Sequence, residues 1–246
     1  MRTLFSVIIL IWVSLAVNSH AQSYPDTSTL YLSAGVEFIT LKDHFQSPYT
    51  FQGTEMMFHL AHVRFKERNI QNLNFGYSKG KIDPVISPEA KNSLIFLNYA
   101  LMLRVRKLPS NLTLSFGGGL AGLLTGSTYL PEIPNPQRYV TANANLEAAG
   151  RISYTLNEKN RVGLSVRVPL IGLAYRPDFE VDGPDYIGMN SLVTNPGFSG
   201  ILEYELRIGP YYGLMFKYFY NYYTFPDPRM FALMQNGFTA GFNLKF

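Results

Sequence analysis

No cysteine occurs among the 246 residues, which excludes a disulfide scaffold, a thiolate metal site and a cysteine nucleophile. Charge is scarce as well. Asp, Glu, Lys and Arg together make up 15% of the chain, too little for a disordered, self-repelling polymer. Tryptophan occurs once. Beyond the N-terminal segment no apolar run approaches the roughly 20 residues of a spanning helix. What is abundant is apolar and aromatic: 47% hydrophobic residues, 17 Tyr and 18 Phe, with a mean hydropathy of +0.01. Such a chain needs either a very large core or a surface that does not face water.

Part of the apolar excess is N-terminal. Arg2 precedes the run from Leu4 to Val17 (LFSVIILIWVSLAV), and Asn18, Ser19, His20 and Ala21 follow. A short basic start, an apolar stretch too short to span a membrane and small residues at Ser19 and Ala21 read as a secretory signal peptide over residues 1–21, cleaved after Ala21. The absence of a following cysteine excludes a lipoprotein anchor. The expected mature domain, residues 22–246, carries 20 Lys and Arg against 17 Asp and Glu. That mild balance gives no argument for nucleic acid.

The signal that recurs in the mature chain is alternation at period 2. From Tyr139 to Leu156, Val140, Ala142, Ala144, Leu146, Ala148, Gly150, Ile152, Tyr154 and Leu156 fall on one face. The opposite face carries Thr141, Asn143, Asn145, Glu147, Arg151, Ser153 and Thr155. Similar runs place Leu97, Leu101 and Leu103 against Asn98, Arg104 and Arg106, and Leu164, Val166 and Val168 against Ser165 and Arg167. Near the end, Leu202, Tyr204 and Leu206 oppose Glu203, Glu205 and Arg207, and the tyrosine-rich series from Tyr212 to Tyr222 opposes Lys217. Several runs reach 14 residues or more, whereas strands of soluble proteins average about 5 or 6.

Connections fall into two kinds. Short polar turns occur at Arg68-Asn69, Pro109-Ser110, Asn157 to Asn160 and Gly209-Pro210. Longer Pro-, Gly- and Asp-rich loops occur at Lys42 to Thr50, Gly80 to Lys91, Ser127 to Gln137, Arg176 to Pro196 and Phe225 to Met234. Ten strands result, at roughly 29–41, 52–67, 70–79, 93–108, 111–126, 139–156, 161–175, 199–208, 211–224 and 236–246. Residues 29–41 and 70–79 alternate less cleanly, so eight strands are the alternative. Strict alternation of short and long connections is the pattern of barrels with periplasmic turns and extracellular loops.

The last residues, TAGFNLKF, place Phe238, Ala240, Phe242, Leu244 and Phe246 on one face, with Gly241 five residues before the end. Here the chain resembles the bacterial outer-membrane β-barrel class, whose final strand ends in an aromatic residue and carries a signal read by the barrel-assembly machinery. Thr239, Gly241, Leu244 and Phe246 fit that signal position by position. The resemblance implies a location in the outer membrane, with the assembly machinery and outer-membrane lipid as partners.

The expected fold is therefore all-β, a transmembrane antiparallel up-and-down β-barrel of about ten strands. In hydrocarbon the backbone must satisfy itself, so a strand protein crosses only as a closed sheet. A soluble sandwich would bury one face of each strand too, but it gives no reason for Phe246 or for the tyrosines, which suit a membrane interface. The polar faces then point inward and collect Arg104, Arg106, Arg151, Arg167, Arg207 and Lys217 against Glu147, Glu203 and Glu205. Charges out of bulk water persist when paired, so these residues are expected to fill the lumen as an ion-pair network. The alternative is a narrow pore for small solutes with some anion preference.

A second alternative is a hydrolase at the rim, which needs a base beside an acid or hydroxyl. The mature chain has His44, His59 and His62. His44 adjoins Asp43, while His59 and His62 have opposite parity on one strand; no complete catalytic set stands at a known spacing. The acidic loop holding Asp178, Glu180, Asp182 and Asp185 does not match a calcium-loop spacing. No cofactor, metal or nucleic acid is expected. The chain is read as a structural, binding or accessory barrel of an envelope secretion or transport system, its loops meeting an extracellular ligand or an envelope protein.

Overall fold

A strand that alternates apolar and polar side chains suits a sheet with one face in each medium, provided both its edges are paired. In a computed structural model of the chain, the described residues are 27–43, 50–84, 90–108, 112–129, 138–176, 186–192, 196–225 and 231–246. The expected signal peptide, residues 1–21, lies outside them, as do His44 and the acidic residues Asp178, Glu180, Asp182 and Asp185. Eleven strands form among the described residues: β1 (Thr27–Asp43), β2 (Thr50–Phe65), β3 (Asn69–Pro84), β4 (Ala90–Leu108), β5 (Leu112–Tyr129), β6 (Arg138–Thr155), β7 (Asn160–Arg176), β8 (Tyr186–Ser191), β9 (Phe198–Arg207), β10 (Tyr212–Phe225) and β11 (Phe231–Lys245).

Strands β1 to β7 pair in sequence, β9 joins β7 to β10, and β11 closes the ring by pairing with both β10 and β1. The ring has ten strands, and all its ladders are antiparallel. Closure runs the length of β1, from Thr29 opposite Lys245 to Asp43 opposite Phe231. The terminal residue is tied in as well: the Ser28 and Phe246 backbones exchange N–H···O bonds of 2.9 and 3.0 Å. At the short turn after β6, the Asn157 side-chain oxygen accepts from the backbone N–H groups of Lys159 and Asn160, an Asx-type closure.

The eleventh strand, β8, lies in the segment read from sequence as a loop. Its cause sits on β7. Pro169 has no N–H to give to a ladder, and Leu170 is an inserted residue, since Glu147 faces Pro169 while Leu146 faces Ile171. The β7–β9 ladder ends at Arg167 opposite Ser199. Beyond the bulge β7 pairs with β8, from Ile171 opposite Ser191 to Arg176 opposite Tyr186.

Side-chain placement is inverted relative to a water-soluble protein. Leu120 and Phe238 point outward at 61% exposure and Phe242 at 66%, while Glu37, Glu55 and Glu205 point inward at 1% or less. A continuous apolar exterior on a closed sheet is the surface of a transmembrane barrel. Aromatic contacts reinforce it: the Tyr218 and Phe238 rings lie 4.8 Å apart across β10 and β11, and His62 stacks on Phe246 with planes 10° apart. Replacing outward Leu164 with Arg should cost about 2–4 kcal/mol near the bilayer midplane. Reversible urea unfolding in vesicles measures it, with Leu164→Ala as the uncharged reference.

Candidate functional site

The lumen is built in layers along the barrel axis, because every second residue of each strand points into it. At the short-turn end Glu205 on β9 is the hub. Its carboxylate lies 2.6 Å from Arg161 on β7 and 2.6 Å from Lys245 on β11, with Arg207 at 3.7 Å. Arg161 also donates to the Tyr31 hydroxyl at 3.4 Å, and the Arg161 and Arg104 guanidinium groups lie 5.4 and 5.6 Å over the Phe65 ring. A small apolar cluster of Val63, Ile70, Met102 and Met215 packs around this layer.

The next layer centres on Glu203. Arg151 meets it at 2.6 Å, and the Lys217 ammonium lies 3.8 Å from the same carboxylate. Lys217 also sits 3.3 Å from His59 Nδ1 and 5.1 Å over the Tyr31 ring. Above it is a cavity of about 40 Å³, bordered by Asn74, Asn98, Asn145, Asn221 and Lys217. That is room for a few water molecules only.

Farther toward the long loops two carboxylates face each other in register, Glu37 on β1 and Glu55 on β2. Their neighbours are neutral donors. Ser78 Oγ and Asn92 Nδ2 each donate to Glu55 at 2.7 Å, Ser127 Oγ donates to Asn92 at 2.9 Å, and Gln235 Nε2 donates to Glu37 at 3.1 Å. Toward the long-loop end the interior holds an apolar cluster that includes Ile39, Leu41, Phe51, Ile82, Phe231 and Leu233, each at most 2% exposed. The Arg176 guanidinium lies 5.5 Å over the Phe231 ring.

Of the residues expected to line the lumen, Glu147, Arg151, Arg167, Glu205 and Lys217 are buried inside it, and Glu203 joins Arg151 to Lys217. Arg104 is half-buried at the short-turn end, and Arg207 sits at the rim with its side chain 39% exposed. Arg106 lies on β4 beside a bulge, opposite Leu114; its side chain is outside the described residues. Sequence reasoning missed Glu37, Glu55 and Lys245, and left Arg161 out of the network. Parity alone would have found Arg161, which shares the inward face of β7 with Arg167.

The C-terminal strand places Thr239 and Gly241 inward and Leu244 and Phe246 outward. A Cβ on Gly241 would run into the Leu32 carbonyl and Ser33 of β1, so the glycine lets the first and last strands approach at the seam. His59 faces inward, 5.9 Å from the Phe96 ring centroid, and His62 faces outward. Among the described residues no group of three or more His, Asp or Glu side chains is placed to hold a metal.

A family model described as Protein of unknown function (DUF3316) matches residues 4–186. No curated protein matches the sequence. Among solved structures the chain is similar to the outer membrane protease OmpT from Escherichia coli, with a TM-score of 0.59 at 11% identity, over 93% of this chain and 99% of that one. It is also similar to Neisserial surface protein A (TM-score 0.44, 10% identity, 88% and 97% covered) and to OprG from Pseudomonas aeruginosa (TM-score 0.36, 11% identity, 93% and 98% covered). Identities this low speak for the fold alone, which is that of bacterial outer-membrane β-barrel proteins.

Removing the hub charge tests the network directly. Glu205→Gln leaves Arg161 and Lys245 without their anion in a closed interior and should destabilise the barrel by about 3–5 kcal/mol. The urea midpoint and the temperature of the gel-mobility shift on heating both report it. The loss should change little with salt, because buried pairs are weakly screened.

Proposed function

We propose, for a chain that belongs to the DUF3316 family, whose description carries no activity, that it is a closed outer-membrane barrel that does not conduct. In this reading its rigid wall holds the long loops as a binding or accessory surface for an extracellular ligand or an envelope partner. The observation that carries the reading is the filled lumen. Ion pairs occupy the short-turn half, a cavity of about 40 Å³ remains at the centre, and buried Ile, Leu and Phe side chains gather toward the other end. Opening a path would require displacing packed apolar groups and desolvated charges together. Location in the outer membrane is supported by the apolar exterior and the fold, and cleavage behind Ala21 rests on the signal-peptide pattern of residues 1–21.

The experiment is reconstitution of the purified full chain into a planar bilayer. No stable conductance is expected. Reproducible conductance steps from a sample that shifts on gels after boiling would mean a pore instead.

The assembly signal belongs to the same reading. Thr239, Gly241, Leu244 and Phe246 present the final strand to the barrel-assembly machinery, with the exposed Phe246 ring as the terminal mark. Phe246→Ala should lower the amount of heat-modifiable protein in the membrane fraction several-fold. Refolding of the same variant into detergent micelles should be nearly unchanged, since the ring is 71% exposed and its stacking on His62 lies on the outer surface. Equal loss in both assays would show that Phe246 serves stability and not assembly.

A further inference from the structure

We propose that the central cavity of the lumen binds one small monovalent anion of the halide class, held by Lys217 and the amide and hydroxyl groups around it. The cavity, about 40 Å³, exceeds the roughly 10–15 Å³ that a single water molecule needs. It lies between two walls whose facing residues are set by strand register. On one wall Asn74, Asn98, Ala121 and Asn145 stand in a row across β3 to β6, and the single methyl of Ala121 between two asparagines leaves the space. On the other, Thr239 stands directly opposite Lys217 across β11 and β10, and Ser199 stands opposite Asn221 across β9 and β10.

The groups that border this space are donors. Lys217 is 6% exposed, and its ammonium has three N–H groups and no acceptor. One is given to His59 Nδ1 at 3.3 Å, so the imidazole is neutral and adds no charge; the Glu203 oxygen at 3.8 Å is beyond hydrogen-bond reach. Asn74 Nδ2 and Thr239 Oγ1, on residues at most 5% exposed, have no hydrogen-bond partner within the protein. Asn221 uses its side-chain oxygen to accept from Ser199 Oγ at 2.7 Å, which leaves its amide N–H groups to donate.

Charge around the cavity is out of balance in the same sense. Glu203 is already ion-paired to Arg151 at 2.6 Å. Arg167, buried opposite Ser199, makes no ion pair among the described residues. With the Asn98 amide turned so that its oxygen faces the guanidinium, Arg167 donates to it at 3.2 Å, and Glu147 acts on Arg167 at longer range. Three cations, Arg151, Arg167 and Lys217, thus share two carboxylates. Glu37 and Glu55 are held by Ser78, Asn92 and Gln235 instead. A buried cation without a full partner is costly, and an anion beside Lys217 supplies the missing charge while accepting charge-assisted hydrogen bonds from the unpartnered donors. A surplus of one fits a monovalent ion. The small volume and the apolar part of the lining, Met57, Phe96, Leu123 and Phe219, favour an ion that sheds water readily, chloride or bromide rather than fluoride, sulfate or phosphate.

The inference rests on the closed lumen proposed above. Its test is refolding of the full chain into detergent micelles in chloride, bromide or gluconate at equal ionic strength, with urea unfolding followed in each. The folding equilibrium constant should rise about tenfold for a tenfold rise in chloride or bromide above the dissociation constant and stay level in gluconate. Crystals grown from bromide should show one anomalous peak within hydrogen-bond distance of Lys217 Nζ. Lys217→Gln removes the surplus charge and should abolish the halide dependence. Asn74→Leu leaves every charge in place and should raise the halide concentration required about tenfold, as for the loss of one hydrogen bond to a charged group. Equal stability of the wild type in all three salts, ordered water in place of the bromide peak, or full halide dependence in both variants would overturn the site. Bilayer conductance of the same samples separates the two readings: halide dependence with conductance supports the site and counts against the closed lumen, and the absence of both counts against the site alone.

Discussion

Satisfaction of the backbone in a medium without water is the constraint on which everything else depends. Each unpaired N–H or C=O in hydrocarbon costs several kcal/mol, so the sheet has no tolerance for a free edge along the apolar belt. The β1–β11 ladder, fifteen pairs from Thr29–Lys245 to Asp43–Phe231, removes the edges that a linear meander would leave. The last two residues are paired as well. Lys245 donates its backbone N–H to Tyr211, and Phe246 exchanges bonds with Ser28.

Once the sheet is closed, the sorting of side chains follows. Leucine, phenylalanine and tyrosine gain by facing hydrocarbon, and charged groups are driven into a lumen too narrow for bulk water. There they are stable only in company. Glu205 and Glu203 each gather cations from neighbouring strands, while Glu37 and Glu55 are held by amide and hydroxyl donors. Pairing of this kind contributes specificity of register as much as stability, since a slip of one residue would turn these charges toward lipid. A lumen so occupied leaves the loops and the outer wall as the surfaces open to a partner.

Much of this was legible because period 2 is a strong signal wherever the two faces differ in polarity. Leu164 against Ser165 and Arg167, or Tyr204 against Glu203 and Glu205, can be read from the chain alone. The reading faltered where the inward residues are themselves apolar. Ile39, Leu41, Ile82, Phe231 and Leu233 point into the barrel, so the polar-in pattern disappears at the long-loop end. Strands that continue there, such as β3 to Pro84 and β11 from Phe231, looked like loop. β8 was hidden for a different reason: its six residues pair only because Pro169 and Leu170 interrupt β7, and a bulge is a relation between strands.

The sequence by itself determined the class of protein, the membrane-facing side of each long strand and the order of short and long connections, because each depends on the spacing of side chains along one strand. Only the tertiary structure decided which inward charges meet and that buried Ile, Leu and Phe side chains gather inside the barrel at its long-loop end. Those facts depend on register between strands up to hundreds of residues apart in the chain. Spacing along a single strand carries no record of which residue will stand opposite.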